Sequence, residues 1–322
     1  MTSKQLAWLI RRHGIEMTHL SCGSHIGAIM SVADIMGVLY TDILKIDSQN
    51  PDWDGRDRFI LSKGHASAAV YAAIAESGFI PVEELKTHYV NGSRLSGHVS
   101  HYLPGIDFST GSLGHGLSVG AGRALAAKLD GKTFRTFVVL GDGECNEGSV
   151  WEAAEFANHY RLDNLTAIID YNHMQSLDFC NNTLEIDMVR RWQGFGWDTV
   201  EVNGHDHDAL RSALQNAGAS GKPTVVIAHT VKGKGVSFME NDVLWHYRFP
   251  HDGWEYNCAV NELHAAMPDG VTDPYTPNGC PADVPEPDGL RHTVSETYHP
   301  TFYHREVEEN EKHGCQHPDR PR

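Results

Sequence analysis

The stretch Thr136-Phe137-Val138-Val139-Leu140-Gly141-Asp142-Gly143-Glu144 decides the fold class. Its apolar run is short, and it breaks on Gly-Asp-Gly just before a helical pattern, Ser149 to Tyr160. That order reads as a buried strand, a tight turn and a helix. Further along, Thr166 to Asp170 repeats the apolar run and ends on Tyr171-Asn172. Short apolar strands alternating with helices are the signature of a parallel sheet covered on both faces. The expected fold is therefore α/β: three layers, a mostly parallel sheet, helices on either side. In such sheets ligands sit beyond the carboxyl ends of the strands.

Working toward the N-terminus, helical spacing marks Gln5–Leu20, and a stronger pattern spans Ile26 to about Leu44. Arg58 to Ser62 reads as a short strand, Ala66–Ser77 as a helix stopped by Gly78, and Pro81 opens a short helix to about Tyr89. Leu117–Leu129 is an Ala-rich helix ending at Gly131. Toward the C-terminus the pattern continues as helix (187–193), strand (197–202), helix (206–217) and strand (Thr224 to Ala228). Beyond about residue 265 the character changes, and nine of the 14 prolines fall in 266–322. Few apolar residues and no period remain there, so no separate core is expected. The chain divides accordingly into a domain over 1–250 and a Pro/His-rich extension over 251–322.

The chain has 322 residues and a formal net charge of -16. That sign repels nucleic acid and anionic lipid. An anionic ligand would need local compensation from a metal, backbone N–H groups or histidines, of which there are 21. The six cysteines form no Cys-x-x-Cys pair, so a reducing cytoplasm fits. Leu6–Ile10 is too short, and stands on the wrong side of Arg11 and Arg12, to be a signal peptide. No stretch approaches about 18 apolar residues, so no membrane span is expected.

Gly141-Asp142-Gly143 carries the chemistry. Its glycines let the backbone turn and present N–H groups to a phosphate. Asp142 would sit at one strand end, Asn172 at the next, with the Met174 carbonyl two residues on. These are hard oxygen ligands of the kind Mg²⁺ takes together with diphosphate oxygens and water. Read alone, Gly-Asp-Gly is equally a plain turn with a capping Asp; the Asn at the next strand end tips the reading toward a metal.

The run from Gly141-Asp142-Gly143 to Asp170-Tyr171-Asn172 resembles the thiamine diphosphate signature, and the surrounding motifs resemble the transketolase family. These are Ser24-His25-Ile26-Gly27, Leu61-Ser62-Lys63-Gly64-His65, Ser96-Gly97-His98 and Thr110-Gly111-Ser112-Leu113-Gly114-His115-Gly116. The likeness covers about residues 5–250. It implies that Asp142, Asn172 and the Met174 carbonyl hold Mg²⁺. Gly143 and His65 contact the diphosphate, within a cofactor-binding group that includes Gly141, Glu144, Asn172 and His246. Gly111 accepts from the cofactor's 4′-amino group, and Leu113 packs on its ring. His25 and His98 face the reacting carbons of the sugar, with His65, His246 and Glu147 completing the implied catalytic set. Glu147 and Glu152 match acids near a domain interface. Where the family has Gly-His-Pro-Gly, this chain has Ser24-His25-Ile26-Gly27. His101 and His115 read equally well as loop polarity, and His205 and His207, beside Asp206 and Asp208, as a solvated helix start.

In the transketolase family a second α/β domain supplies a Glu beside the cofactor's pyrimidine and much of the sugar-phosphate pocket. Fewer than 100 residues follow Ala228, too few for such a domain. The resemblance therefore implies the N-terminal subunit of a split transketolase, working with a C-terminal partner subunit in an assembly of at least α₂β₂. The implied reaction moves a two-carbon ketol unit from a ketose donor to an aldehyde acceptor. Two rivals remain: the α subunit of a 2-oxo acid dehydrogenase, or a non-catalytic cofactor-binding partner.

Overall fold

The structure, a computed structural model, describes residues 1–276. Five strands form one wholly parallel sheet: β1 (Arg58–Leu61), β2 (Thr136–Gly141), β3 (Leu165–Tyr171), β4 (Asp198–Asn203) and β5 (Thr224–His229), in the order β1-β2-β3-β5-β4. Strands β2 and β5 are buried almost end to end, which is why they read as unbroken apolar runs. Alternate residues serve opposite faces. Phe59, Leu61, Phe137, Val139, Ile168 and Val226 join one core, while Ile60, Val138, Leu140, Ile169 and Ile227 join the other.

The first face is covered by α1 (Ser3–Ser21), α2 (Ile26–Val38), α3 (Ser67–Glu76) and α8 (His207–Asn216). The second is covered by α4 (His115–Leu129), α5 (Gly148–His159) and α7 (Met188–Gly194); α6 (Cys180–Thr183) is a single turn after β3. A capping box opens α1: Gln5 N–H donates to Thr2 Oγ1, and Thr2 N–H donates back to Gln5 Oε1 at 2.8 Å. Helix α2 continues into a π-turn, Leu39–Ile43. Contrary to the sequence expectation, Ile26–Ile43 is long and apolar enough to cross a membrane, but 89% of it is buried in this fold, as suits a core helix between two layers.

A helix absent from the sequence reading, α9 (Trp254–Ala265), lies against α1 and carries the folded body past residue 250, into the expected extension. Trp8 Nε1 donates to Leu263 O at 2.7 Å. Arg12, wholly buried, donates to Asp273 Oδ2 at 2.9 Å and to Glu16 at 3.0 Å. His13 bridges Tyr275 and Glu76, 2.7 Å from each. The rest of the expected extension, 277–322, lies outside the described residues.

Candidate active site

Parallel pairing sets the strand ends side by side. Gly141 pairs with Asp170 and Tyr171 with His229, so the turns after β2, β3 and β5 emerge together, with Ser62-Lys63 after β1 beside them. The central tie is Asp170, fully buried. It accepts from Lys63 Nζ, from Thr230 Oγ1 and from Ser31 Oγ at 2.6 Å, joining the ends of β1, β3 and β5 to α2.

Asp142 lies beside this tie. Its Oδ1 accepts from Gly143 N at 2.7 Å, while its Oδ2 is buried with no hydrogen-bond partner. Burial, aided by nearby Asp170, pushes the carboxyl up to about 6. An orphaned carboxylate oxygen in a dry site is a costly arrangement that a cation relieves. Asn172 is also buried; its Oδ1 accepts from Met174 N at 3.2 Å and its amide approaches Ser31 Oγ. Met174 sits between two cross-hairpin bonds, Cys180 N to His173 O (2.8 Å) and Gln175 N to Asp178 O (2.9 Å), which leave its own carbonyl out of that ladder. One carboxylate, one amide oxygen and one backbone carbonyl thus gather at adjacent strand ends, and this donor set fits Mg²⁺.

Four histidines converge next to it. The His25 ring is 5.0 Å from His65 and 5.0 Å from His246, and 6.4 Å from His98; His65 and His246 are 5.7 Å apart. His25 opens α2 with φ 75, the left-handed region, and its Nδ1 is buried without a partner. His65 follows Gly64, where a Cβ would meet Thr110 Oγ1 at 2.5 Å, so the loop at 110–111 can lie against this turn only over glycine. His98 is the exposed member, beside Gly111. Burial lowers all four histidines. His25 falls to about 4; His246 falls to about 3, with Lys232 adding to the effect; His65 lies well below its ordinary value. At neutral pH each is an uncharged imidazole, one donor and one acceptor.

The histidines therefore do not supply the positive charge that the acidic chain needs here. Lys232 does. It is buried, donates to Gln175 O at 3.2 Å and lies 2.8 Å from His246 Nδ1; burial lowers it to about 8, so it stays largely protonated at neutral pH. The sequence reading missed it. Its signal is a lysine just past a strand end, followed by Gly233.

The other expected residues fall in two groups. Gly111 and Leu113 lie on the loop entering α4, Gly111 exposed and Leu113 half-buried. Glu144 does not face the histidines: its carboxylate accepts from Ser62 Oγ, from Gly114 N at 2.8 Å and from Gly141 N at 3.0 Å, so it is spent on holding three loops. Glu147 is exposed at the start of α5, against Gly114, and is not among the clustered histidines; Glu152 lies on the same helix, on an open groove with Glu155, Phe156, His159 and Tyr160. His101 bonds Ser109 Oγ at 2.7 Å, and His115 is exposed. His205 and His207 are not solvated: both bond Asp34, at 2.6 and 3.0 Å. Tyr247, also missed, is exposed with its ring 5.6 Å from His25 and 4.6 Å from His246.

Residues 2–247 match the family described as transketolase, thiamine diphosphate binding domain. The chain belongs to the transketolase family. It is 42% identical over 255 residues to an apulose-4-phosphate transketolase subunit of Phocaeicola vulgatus, covering 79% of this chain and 90% of that one. It is 40% identical over 243 residues to the 6-deoxy-6-sulfo-D-fructose transketolase subunit SqwG of a Clostridium species, covering 74% and 88%. The fold superposes on the transketolase of Campylobacter jejuni with a TM-score of 0.77 at 27% identity, covering 84% of this chain and 44% of that one. Against a Pichia stipitis transketolase in complex with sedoheptulose 7-phosphate the TM-score is 0.77 at 28% identity, covering 81% and 40%. This transketolase chain thus spans nearly the whole of the separate subunits it matches, and less than half of those two solved transketolases.

Proposed function

We propose that this chain is the diphosphate-side subunit of a two-component transketolase, acting with Mg²⁺, thiamine diphosphate and a C-terminal partner subunit. The observation that carries the reading is the juxtaposition of Asp142, with its orphaned oxygen, and the four neutral histidines. Asp142 Oδ2, Asn172 Oδ1 and the Met174 carbonyl would hold the metal. Lys232 and His65 would meet the diphosphate, and the Gly143 N–H would join them on turning away from Asp142 Oδ1. Gly111 and Leu113 would meet the cofactor's aminopyrimidine. When bound, the cofactor supplies the electron sink for breaking and making a carbon–carbon bond beside a carbonyl. His25 and His98, each with one lone pair and one N–H, would take protons from sugar hydroxyls and return them. His246 is held by Lys232 and would orient the fragment between them. Tyr247 would wall the same space.

The substrates are a ketose or ketose phosphate donor and an aldehyde acceptor. The subunit boundary in the relatives supports a separate partner chain, and Phe156 on α5 with Tyr160 just past it, both exposed, would suit a contact with another chain in an α₂β₂ arrangement. The free thiols of Cys22, Cys145 and Cys180 suit a cytoplasmic setting. The test is reconstitution. The purified chain alone is expected to show no ketol transfer at any Mg²⁺ and cofactor concentration, and to gain it when mixed with a chain bearing the pyrimidine-side domain. Turnover by the chain alone would refute the split; silence of a complex that binds cofactor would refute the reaction.

A further inference from the structure

His205 follows β4 and sits between two groups of different kind. Its Nδ1 is 2.6 Å from Asp34 Oδ2, and its Nε2 is 2.9 Å from the backbone nitrogen of Val231. A backbone nitrogen can only donate, so Nε2 must accept and carries no proton. The ring proton is therefore on Nδ1, shared with Asp34. Asp34 is in turn fixed on α2, accepting from both Arg11 nitrogens at 3.1 and 2.5 Å and bonding His207 Nε2 at 3.0 Å. A continuous line of bonds runs from α1 through α2 and the loop after β4 to the residue before Lys232.

The backbone around Lys232 is fixed at four points. Val231 N–H is taken by His205, Val231 O by Lys234 N–H at 3.2 Å, Gly233 N–H by Gly27 O at 3.0 Å, and Lys232 O by Asn241 N–H at 2.9 Å. Three of these ties are backbone to backbone; His205 makes the one tie that depends on a side chain. The Lys232 stem passes over Gly27, where an added Cβ would come within 3.1 Å of it. Rotation of the Val231 peptide would swing Nζ away from His246 and Gln175.

We propose that His205, oriented by Asp34, is the positioning residue that aims Lys232 at the bound diphosphate. This rests on the functional reading given above, in which Lys232 faces that anion. Asn and Gln separate the two bonds, since an Asn amide reaches the place of Nδ1 and a Gln amide the place of Nε2. His205→Asn keeps a donor for Asp34 and abandons Val231. His205→Gln abandons Asp34 and keeps an acceptor for Val231.

Two measurements decide it. Nitrogen-15 NMR of the full chain at neutral pH should find His205 protonated on Nδ1 and bare on Nε2; a proton on Nε2 would overturn the proposal without any cofactor present. Calorimetric titration of thiamine diphosphate with Mg²⁺, on the chain assembled with its partner, should find His205→Asn weaker than wild type by roughly tenfold and His205→Gln between the two, since it keeps the Val231 bond without the orienting Asp34. The Asn defect should appear in cofactor affinity, not in turnover once cofactor saturates. Equal affinity of His205→Asn and wild type, or losses in both variants that follow their melting temperatures, would overturn the relay while leaving the functional reading intact. A wild-type complex that binds no cofactor would overturn that reading itself, and the relay's purpose with it.

Discussion

The backbone N–H of His25 donates to the carbonyl oxygen of His246 at 2.9 Å, joining the first and last of the clustered histidines through the main chain. This bond helps hold His25 at φ 75, a conformation that costs a non-glycine residue about 1–2 kcal/mol. The N–H groups of Ala28 and Ile29 then close on the His25 carbonyl and start α2. The imidazole is thus presented from a strained helix start instead of a relaxed one.

That strain can be separated from the chemistry. His25→Gly and His25→Ala are both expected to lose turnover by on the order of 10²–10⁴, while the Gly variant should be the more stable by about 1 kcal/mol. Thermal or denaturant unfolding of the two variants checks this. Equal stabilities would mean the left-handed backbone at 25 is not strained.

On the proposed metal assignment, Asp142 would set metal affinity against the stability of the metal-free fold. Its folded value, about 6, lies above its ordinary 3.8, so the folded chain binds this proton more tightly than the unfolded chain does. Metal-free stability is accordingly lost as pH rises from about 4 to about 6. Asp142→Asn should therefore stabilise the metal-free chain at pH 8 by on the order of 2–3 kcal/mol and abolish Mg²⁺-dependent cofactor binding. In the wild type, cofactor affinity should weaken below about pH 6, where protons compete with the metal. Denaturant melts without metal, together with cofactor calorimetry across pH, test both halves; an Asn variant no more stable than wild type contradicts the first.

His98 and His65 should fail differently. His98 is exposed at the mouth and His65 is set deeper, behind Gly64. His98→Ala is expected to lower turnover at saturating cofactor by on the order of 10²–10⁴ with little change in cofactor affinity. His65→Ala should chiefly raise the cofactor concentration required. The reverse pattern in saturation and turnover measurements would exchange their roles.

Asp273 holds the segment after α9 to buried Arg12. Burial raises its carboxyl, but bonds from Thr276 Oγ1, Tyr275 N–H and Arg12 outweigh that and hold it well below the ordinary range. The stability this contributes is complete above the unfolded value of 3.8 and is lost as pH falls below it. Asp273→Ala should cost about 2–3 kcal/mol at pH 7, less than a fully broken pair because Glu16 still reaches Arg12. Urea unfolding at pH 7 and in acid should find the difference shrinking at low pH.

The sheet and its helices were legible because strands such as β2 and β5 are buried throughout and so read as apolar runs. Asp142, Asn172 and the histidines were legible through their motifs. Other features depend on contacts that no local pattern encodes. Helix α9 escaped because one of its inward positions is Glu255, buried against Arg248 and His251 N–H. Lys232 looks like an ordinary loop charge until β5 sets it in the field of Asp142 and Asp170. His205 and His207 looked solvated because their partner, Asp34, lies far back in the chain, on α2.

Glu144 has a consequence for redesign. One carboxylate ties Ser62, Gly114 and Gly141, so the loops after β1, before α4 and after β2 share a single anchor. A substitution that displaces Glu144 from one of those loops is transmitted to the other two. Tyr247, exposed at the rim and independent of that anchor, is a position where an altered substrate range can be sought one residue at a time.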